Sequence, residues 1–172
     1  MKFVEINNLK RACDVKKLYQ ESFPVEEQVE FEKLFSEKFE NYKIYAIYEE
    51  NDALVAMVHF NELKSFVHVN YLAVKKECQS KGYGSAFLTF IKNLYKKPLV
   101  LDVEELDQTA PNNINRIKRI KFYKNNGFKE GVYKFVWQGV LMTYMHTQNI
   151  DANEFMEYIQ TIYPTIKNIE KK

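Results

Sequence analysis

The sequence predicts a single mixed α/β domain over residues 1–172, with a central sheet of about seven strands flanked by four to five helices. The chain has 172 residues, 46% of them hydrophobic, which is enough for one substantial core. Three apolar segments follow one another with only short polar turns between them, which is typical of an antiparallel sheet. A helix then separates the third of these segments from a fourth, and a helical connection requires those two strands to run parallel.

The N-terminal forty residues predict one strand and two helices. Residues 2–6 alternate and predict a short strand, after which Asn7 or Asn8 is suited to cap a helix. This helix should stop at Pro24, because the residue before a proline is disfavoured in the α region. Phenylalanine and leucine recur at helical spacing from about residue 26 to 39 and predict the second helix.

The next segment predicts three strands joined by short turns. Apolar residues dominate 42–50, 53–60 and 65–74, and the polar pairs at 51–52 and 61–62 separate them. We therefore expect an antiparallel meander whose last strand leads into a glycine-containing turn and a helix.

The second half predicts a buried strand, a helix, two further strands and a final helix. Residues 99–103 are apolar nearly throughout, as expected of a strand beside a parallel neighbour. Pro111 is suited to open the following helix and Gly127 to end it. Two strands should then flank a turn at residues 138–139.

The last predicted helix begins with a capping box. Asp151 is followed three residues later by Glu154, ahead of an apolar stripe that ends near Pro164. Residues 165–172 are polar, and we expect them to form a frayed tail.

Composition restricts the possible functions. The net charge of +2 gives no general nucleic-acid signal, and Cys13 and Cys78 are too few for a disulfide framework. Cysteine and histidine lack zinc spacing, so we expect no metal. No apolar run approaches membrane-spanning length and no signal peptide is recognisable, so we expect a soluble cytoplasmic protein, a monomer or homodimer, without a membrane partner.

A basic run in the helix after Pro111 has two interpretations. It is either a solvated helix face or a nucleic-acid surface, and the interleaved aliphatic residues argue against the second because bases stack on aromatic side chains. The run comprises Arg116, Lys118, Arg119, Lys121 and Lys124.

The stretch Gln79–Lys92 has the order polar turn, glycine pair, helix, and it follows a predicted strand. The first amides of a helix lack internal acceptors and the helix dipole adds positive charge there, so this order favours anion binding. Gly82 and Gly84 have no side chains to keep a phosphate away. The Rossmann pattern requires a third glycine where this chain has Phe87, and the Gly-Lys-Ser/Thr of NTPases is absent.

Two motifs resemble those of the GNAT acyl-CoA N-acyltransferases. Gln-x-x-Gly-x-Gly after a strand ending Leu-Ala-Val is similar to motif A of this family, and the segment 122–128, FYKNNGF, is similar to motif B. The motifs lie about forty residues apart with one strand between them, as in the family. The resemblance covers about residues 66–145 and implies the GNAT fold, with a splayed parallel pair formed by the fourth and fifth strands and a cofactor-binding core at about 66–130.

The resemblance also implies acetyl-CoA as co-substrate and a set of contacts for it. The family holds the pantetheine through the fourth strand and the diphosphate on the motif A turn. Many members have a coenzyme A-binding asparagine where this chain has Arg116, a guanidinium that could instead meet a phosphate. The implied contacts are Leu72, Ala73, Val74, Gln79, Ser80, Lys81, Gly82, Tyr83, Gly84, Ser85, Arg116 and Tyr123.

The resemblance implies catalytic roles as well. The family places the motif B tyrosine, here Tyr123, beside the thioester sulfur, where a phenol can protonate the leaving thiolate; the alternative is a phenol that only packs its helix. His68, on the fourth strand, is the candidate base, or else a structural residue. Glu104 and Glu105 are rival bases, and His59 is a weaker candidate.

The sequence therefore predicts an acyl-CoA-dependent N-acetyltransferase that acts on a primary amine of a small molecule or peptide. The alternative is a non-catalytic acyl-CoA-binding or nucleic-acid-associated module with the same fold. Acidic and aromatic residues are candidates for contact with the acceptor: Glu21, Glu26, Tyr133, Trp137 and Tyr144.

Overall fold

The computed structural model describes residues 1–7, 12–35, 41–163 and 165–171. Two units, residues 1–96 and 97–172, are each internally well connected. The described residues form eight strands and four α-helices.

The first unit contains the predicted antiparallel meander. Strands β1 (Lys2–Glu5), β2 (Tyr42–Tyr48), β3 (Leu54–Glu62) and β4 (Val67–Val74) pair antiparallel in chain order. The unit also contains helices α1 (Cys13–Ser22) and α2 (Tyr83–Tyr95).

The two helices of the first unit cover opposite faces of its sheet. Met57 of β3 lies in the buried cluster that includes Val15 and Leu18 of α1. Phe60, three residues along β3, instead contacts Tyr95 of α2 with ring centroids 5.4 Å apart. Because side chains alternate between the faces of a strand, this odd spacing places the helices on different sides.

The prediction of a second helix at about residues 26–39 is wrong for residues 26–35, which are the described part of that range. Short 3₁₀ turns occupy Val25–Glu27 and Phe31–Phe35, and residues 36–40 lie outside the described residues. The hydroxyl of Tyr19 accepts a hydrogen bond from Val29 N–H and donates one to the Val29 carbonyl, at 2.9 and 3.1 Å. These bonds take backbone groups that a continuous helix would use.

The predicted caps give a mixed result. Asp151 caps the last helix through a hydrogen bond from Asn153 N–H to its carboxylate, 2.9 Å long, as predicted. The first helix instead has Ala12 at its N-cap without a side-chain cap bond. Asn7 is therefore not the cap, and Asn8 lies outside the described residues.

The second unit contains a second antiparallel arrangement. Strands β5 (Leu99–Glu104), β6 (Lys129–Trp137), β7 (Val140–His146) and β8 (Lys167–Lys171) pair in the order β5-β7-β6-β8. Helices α3 (Asn113–Asn125) and α4 (Ala152–Ile162) complete it. Strand β8 is the eighth strand where about seven were predicted, and it lies in the segment expected to be a frayed tail.

One glycine allows a close approach within this unit. A Cβ atom at Gly131 of β6 would lie 2.0 Å from the ring of Tyr144 on β7. The Tyr144 ring is buried at 2% exposure, and its hydroxyl accepts a hydrogen bond from Val132 N–H at 3.3 Å. The strand can therefore cross the ring only where it has no side chain.

Candidate functional site

The turn between β4 and α2 holds its glycine in a left-handed conformation. Gly82 is the N-cap of α2 with φ of +87°, and Ser80 also has a positive φ of +62°. The helix begins with the bond from Ala86 N–H to the Gly82 carbonyl, 2.9 Å long. No atom lies within 4 Å of a Cβ built at Gly82, so the backbone conformation, and not space, favours glycine there.

The amides of this turn are not used by the protein. The six consecutive backbone N–H groups from Ser80 to Ser85 form no hydrogen bond within the described part of the chain. The first turn of α2 also contains no acidic residue, and no side chain caps it. Unpaired amides at a helix N-terminus with no competing carboxylate provide the donors that an anion needs.

The side chains of the turn bond elsewhere. The Gln79 amide donates to the Val74 carbonyl at 3.3 Å. The Tyr83 hydroxyl donates to Glu49, and this hydrogen bond to the carboxylate raises the pKa of the phenol. These side chains therefore do not take the amides of the turn as partners.

The predicted pantetheine-binding residues lie at the end of β4. Leu72, Ala73 and Val74 pair with Val58, Met57 and Ala56 of β3, respectively. Ala73 is buried and its two neighbours are half-buried. The end of β4 therefore leads directly along the chain into the amide turn.

His68, the predicted base, lies on β4 and is completely buried. Nearby on β3, His59 is 2% exposed, and neither of its ring nitrogens has a hydrogen-bond partner in the described residues. Its ring lies 5.0 Å from that of Tyr42 and 5.8 Å from that of Tyr71. Burial, with a smaller effect of His68, lowers the pKa of His59 to about 3.

In the second unit, Glu104 and Arg116 contact each other. Arg116 Nη2 lies 2.9 Å from Glu104 Oε1, and both side chains are about nine-tenths buried. The guanidinium also donates through Nε to Asn112 Oδ1 and through Nη1 to the Glu105 carbonyl, at 2.8 and 2.9 Å. A predicted phosphate ligand and a predicted base are thus partners in one buried ion pair.

Glu104 has further partners. Arg119 Nη1 lies 2.9 Å from its Oε2, and the Asn112 amide donates to its Oε1 at 3.1 Å. Lys124, another cation of the basic run, pairs with Glu130 at 2.8 Å. Three of the five cations of that run therefore face carboxylates, which weakens the interpretation of the helix as a nucleic-acid surface.

Tyr123, the predicted general acid, lies on α3 and is half-buried. Its ring contacts those of Phe122 and Phe128, with centroids 5.2 and 5.4 Å away. Burial raises the pKa of its phenol to about 12, and the nearby Arg119 charge opposes this shift. Its hydroxyl makes no hydrogen bond to any residue that the structure describes.

The residues suggested for acceptor contact are dispersed. Tyr144 is buried, the Tyr133 hydroxyl donates to Asn153 at 3.0 Å, and the Trp137 ring packs 4.6 Å from that of Tyr163. Glu21 is exposed near Lys17, and the Glu26 side chain is not among those described. The described members of this set therefore differ in burial and in their contacts.

A cavity that the sequence did not indicate lies at the end of β5. Its volume is about 430 Å³, and its lining includes the segment after β5 and the turn between β6 and β7. A bond from Glu105 N–H to the Leu141 carbonyl, 2.9 Å long, joins these two walls. The run of acidic residues around Asp107 was the available signal, but the contribution of Leu141 required the folded structure.

The described residues contain neither a candidate membrane span nor a candidate metal cluster. Their helices include none that is both long and apolar enough to cross a membrane. Their His, Cys, Asp and Glu side chains include no group of three or more that could hold a metal ion.

The chain is similar to known acetyltransferases. The family model of the acetyltransferase (GNAT) domain matches residues 40–130. A Bacillus subtilis (strain 168) protein provisionally named acetyltransferase YjbC is 30% identical over 112 residues, which cover 63% of this chain. The match spans about half, 53%, of that relative's length.

Solved structures show the same fold. A GNAT-family protein of Bacteroides thetaiotaomicron, also provisionally named an acetyltransferase, superposes with a TM-score of 0.74 at 25% identity over 95% of this chain and 98% of its own. An aminoglycoside 6′-N-acetyltransferase complexed with coenzyme A gives 0.63 at 15% identity, with 85% and 96% covered. A Bacillus subtilis acetyltransferase in complex with CoA gives 0.59 at 14% identity, with 87% and 99% covered. The predicted mixed α/β fold class is confirmed.

Proposed function

The chain belongs to the GNAT acetyltransferase family, and from this we propose that it transfers an acetyl group from acetyl-CoA to a primary amine of a small molecule. The observation that supports this most is the run of six unpaired amides from Ser80 to Ser85 at the start of α2. Acetyl-CoA would supply the activated acyl group.

The amide turn suits the diphosphate of coenzyme A. Hydrogen bonds to a charged group contribute about 1.5–3 kcal/mol each, so even two or three of these amides provide substantial affinity. The left-handed Gly82 allows consecutive N–H groups to converge on one anion. Leu72, Ala73 and Val74 lead into this turn and would hold the pantetheine through their backbone.

Tyr123 is the proposed general acid. With a pKa of about 12, its phenol stays protonated throughout the neutral range and can act as a donor, not as a base. Its hydroxyl has no hydrogen bond to a described residue that would hold it away from a substrate atom.

We propose His68 over Glu104 as the base. Two guanidinium groups and an amide already bond to the Glu104 oxygens, which a base must offer to a proton. His68 is fully buried, so a proton would have to reach it through water. The pH–rate profiles of His68→Asn and Glu104→Gln separate the two, because only the variant that lacks the base should lose the acidic limb.

Arg116 is less suited to bind a phosphate than its position in the sequence suggested. Three of its nitrogens already donate to protein acceptors. We therefore propose that it positions Glu104 and the end of β5, and that the diphosphate relies on the amides.

The test combines binding and turnover. Acetyl-CoA should raise the Tm, and a panel of amines should release free thiol when the protein is added. Tyr123→Phe should lower kcat by about 10²- to 10⁴-fold, the usual contribution of a general acid, without lowering the Tm. Tyr158→Phe on α4 is the matched control and should keep wild-type turnover.

Three outcomes would count against the proposal. Absence of a Tm shift with acetyl-CoA would exclude cofactor binding. A shift without thiol release across the panel would favour a non-catalytic acyl-CoA-binding module. Full turnover in Tyr123→Phe would remove Tyr123 from the chemistry.

A further inference from the structure

The cavity at the end of β5 lies entirely within the second unit. Its volume of about 430 Å³ is in the range of small-molecule pockets, about 300–1,000 Å³. Its lining includes charged and apolar residues from three places in the sequence: Glu105, Leu106, Asp107, Arg116, Val140 and Leu141.

Most of the charges around the cavity are already paired. Arg116 is neutralised by Glu104 at 2.9 Å, and Glu105 by Lys134, also at 2.9 Å. Asp107 has no ion pair with a residue that the structure describes. The cavity therefore presents one carboxylate that forms no ion pair with a described residue, although hydrogen bonds and, to a smaller extent, the Arg116 charge lower its pKa.

Asp107 is held in place by its own loop. Its Oδ1 accepts hydrogen bonds from Thr109 N–H and the Thr109 hydroxyl, at 2.9 and 2.6 Å. Its backbone N–H donates to Asn113 Oδ1 at 3.1 Å. The Thr109 bonds lower the pKa of Asp107, so the group is charged at neutral pH. Because Oδ1 takes both bonds, Oδ2 is left to accept from a ligand.

The remaining wall of the cavity is apolar. Leu106 and Leu141 are 54% and 42% exposed, and Val140 lies next to Leu141. Exposed leucines beside a pocket favour an apolar ligand group, since covering them removes apolar surface from water. A polyhydroxylated molecule would gain nothing from them.

From these observations we propose that the cavity binds the acceptor, and that this acceptor is a primary amine on an alkyl or aryl group, with its ammonium at Asp107 and its apolar part against Leu106 and Leu141. This inference rests on the proposed acetyl transfer. Arg116 does not make the cavity a site for an anionic acceptor, because its side chain is only 9% exposed and contacts Glu104.

Direct binding and turnover test the inference separately. Isothermal titration with phenethylamine and hexylamine should show saturable binding, with 2-phenylethanol binding at least fivefold more weakly and kanamycin more weakly than phenethylamine. Asp107→Asn keeps an oxygen for the Thr109 bonds and should raise the phenethylamine Kd, and the KM in the thiol-release assay, at least fivefold. Its coenzyme A affinity should not change.

Matched variants control for charge and for apolar surface. Glu130→Gln removes a carboxylate outside the cavity lining and should leave the amine Kd unchanged. Leu141→Ser should weaken phenethylamine binding at least threefold, whereas Val132→Ser, which changes another exposed apolar residue of the same unit, should not.

The outcomes distinguish this inference from the proposed function. Acetyl transfer to amines whose Kd and KM are insensitive to Asp107→Asn would overturn the cavity assignment but would still support the proposed acetyltransferase activity. Amine binding that weakens in Asp107→Asn, without transfer to any amine, would support the assignment of the cavity as an amine site and would contradict the proposed acetyltransferase activity. Tighter binding of kanamycin, or no binding of either apolar amine at millimolar concentration, would overturn the acceptor class.

Discussion

Two strand-to-helix junctions of this protein, β4 to α2 and β5 to α3, treat their polar groups in opposite ways. Where β4 leads to α2, six consecutive amides from Ser80 to Ser85 have no acceptor in the described residues. Where β5 leads to α3, side chains fill the junction: Asn112, Arg116 and Arg119 all bond to Glu104. The first is an open junction, because its amides can bind a ligand. The Glu104 cluster of the second is a closed junction, because its charged groups satisfy one another.

The difference separates a binding role from a structural one. Unpaired amides where the turn is exposed, at residues 80–82, lose little in the free protein because water can solvate them, and they gain strongly from an anion. A buried ion pair gives the opposite result, since each partner depends on the other to avoid an uncompensated buried charge. Substitutions at the amide turn should therefore change affinity, and substitutions in the Glu104 cluster should change stability.

The largest expected effect is on stability at the closed junction. Arg116→Met should lower the free energy of unfolding by about 3–5 kcal/mol, the usual cost of removing one partner of a buried pair. Urea unfolding measures it. Coenzyme A affinity, measured at a temperature where the variant is folded, should stay within twofold of wild type. A tenfold loss of affinity would indicate instead that Arg116 binds a phosphate.

Arg119→Met is the matched control for this prediction. Arg119 contacts the same carboxylate, but its side chain is 42% exposed. Its loss should cost no more than about 1 kcal/mol, as is usual for exposed ion pairs.

The buried imidazole of His59, which has no hydrogen-bond partner in the described residues, should cost stability at low pH. The pKa of His59 is lowered to about 3 in the folded protein, against about 6.5 in an unfolded chain. The unfolded state therefore binds a proton first as the pH falls, and between pH 7.5 and 5 this linkage removes about 2 kcal/mol of stability. His59→Leu should flatten that part of the profile of unfolding free energy against pH.

His59→Asn separates titration from polarity. It also lacks a titrating ring, so it should flatten the same pH range, but it buries an amide and should be less stable than His59→Leu at pH 7.5. An unchanged slope between pH 7.5 and 5 in both variants would show that other groups cause the acid sensitivity.

At the open junction, a negative charge should change stability and affinity in opposite directions. Ser85→Asp places a carboxylate in the first turn of α2, which should stabilise the free protein by about 0.3–1 kcal/mol. It should weaken coenzyme A binding about tenfold, because like charges about 4 Å apart repel by about 1–4 kcal/mol. Thr89→Asp adds the same charge one turn later and should affect both quantities less.

The smallest effect concerns the backbone of the same junction. Gly82→Ala should cost about 1 kcal/mol, because a Cβ is disfavoured at positive φ. No atom lies within 4 Å of that Cβ, so conformation is the whole cost. A loss of more than about 3 kcal/mol in thermal or urea unfolding would indicate a clash that the structure does not contain.

The sequence was sufficient where the determining contacts are local. The turn at Gly82 and the cap at Asp151 depend on residues within one helical turn, so their order along the chain predicts them. It was insufficient where distant residues decide. The Tyr19 hydroxyl takes the Val29 backbone groups and replaces a helix that periodicity favoured.

The candidate site shows the same limit. Sequence placed Arg116 at a cofactor position and Glu104 among the bases, but only folding brings them within 2.9 Å of each other. The cavity joins the segment after β5 to Leu141 on β7, which no local pattern connects. Spacing therefore predicted most of the elements and the glycine turn, and not which charged groups neutralise one another.

The C-terminal strand has a practical consequence. Residues 167–171 pair with β6 and cover its edge. A protein shortened at residue 165 would present the unpaired amides and carbonyls of β6 to other copies, and such edges promote aggregation between molecules. Deletions or tags should therefore leave residues 167–171 intact, because this strand protects the edge of β6 from intermolecular pairing.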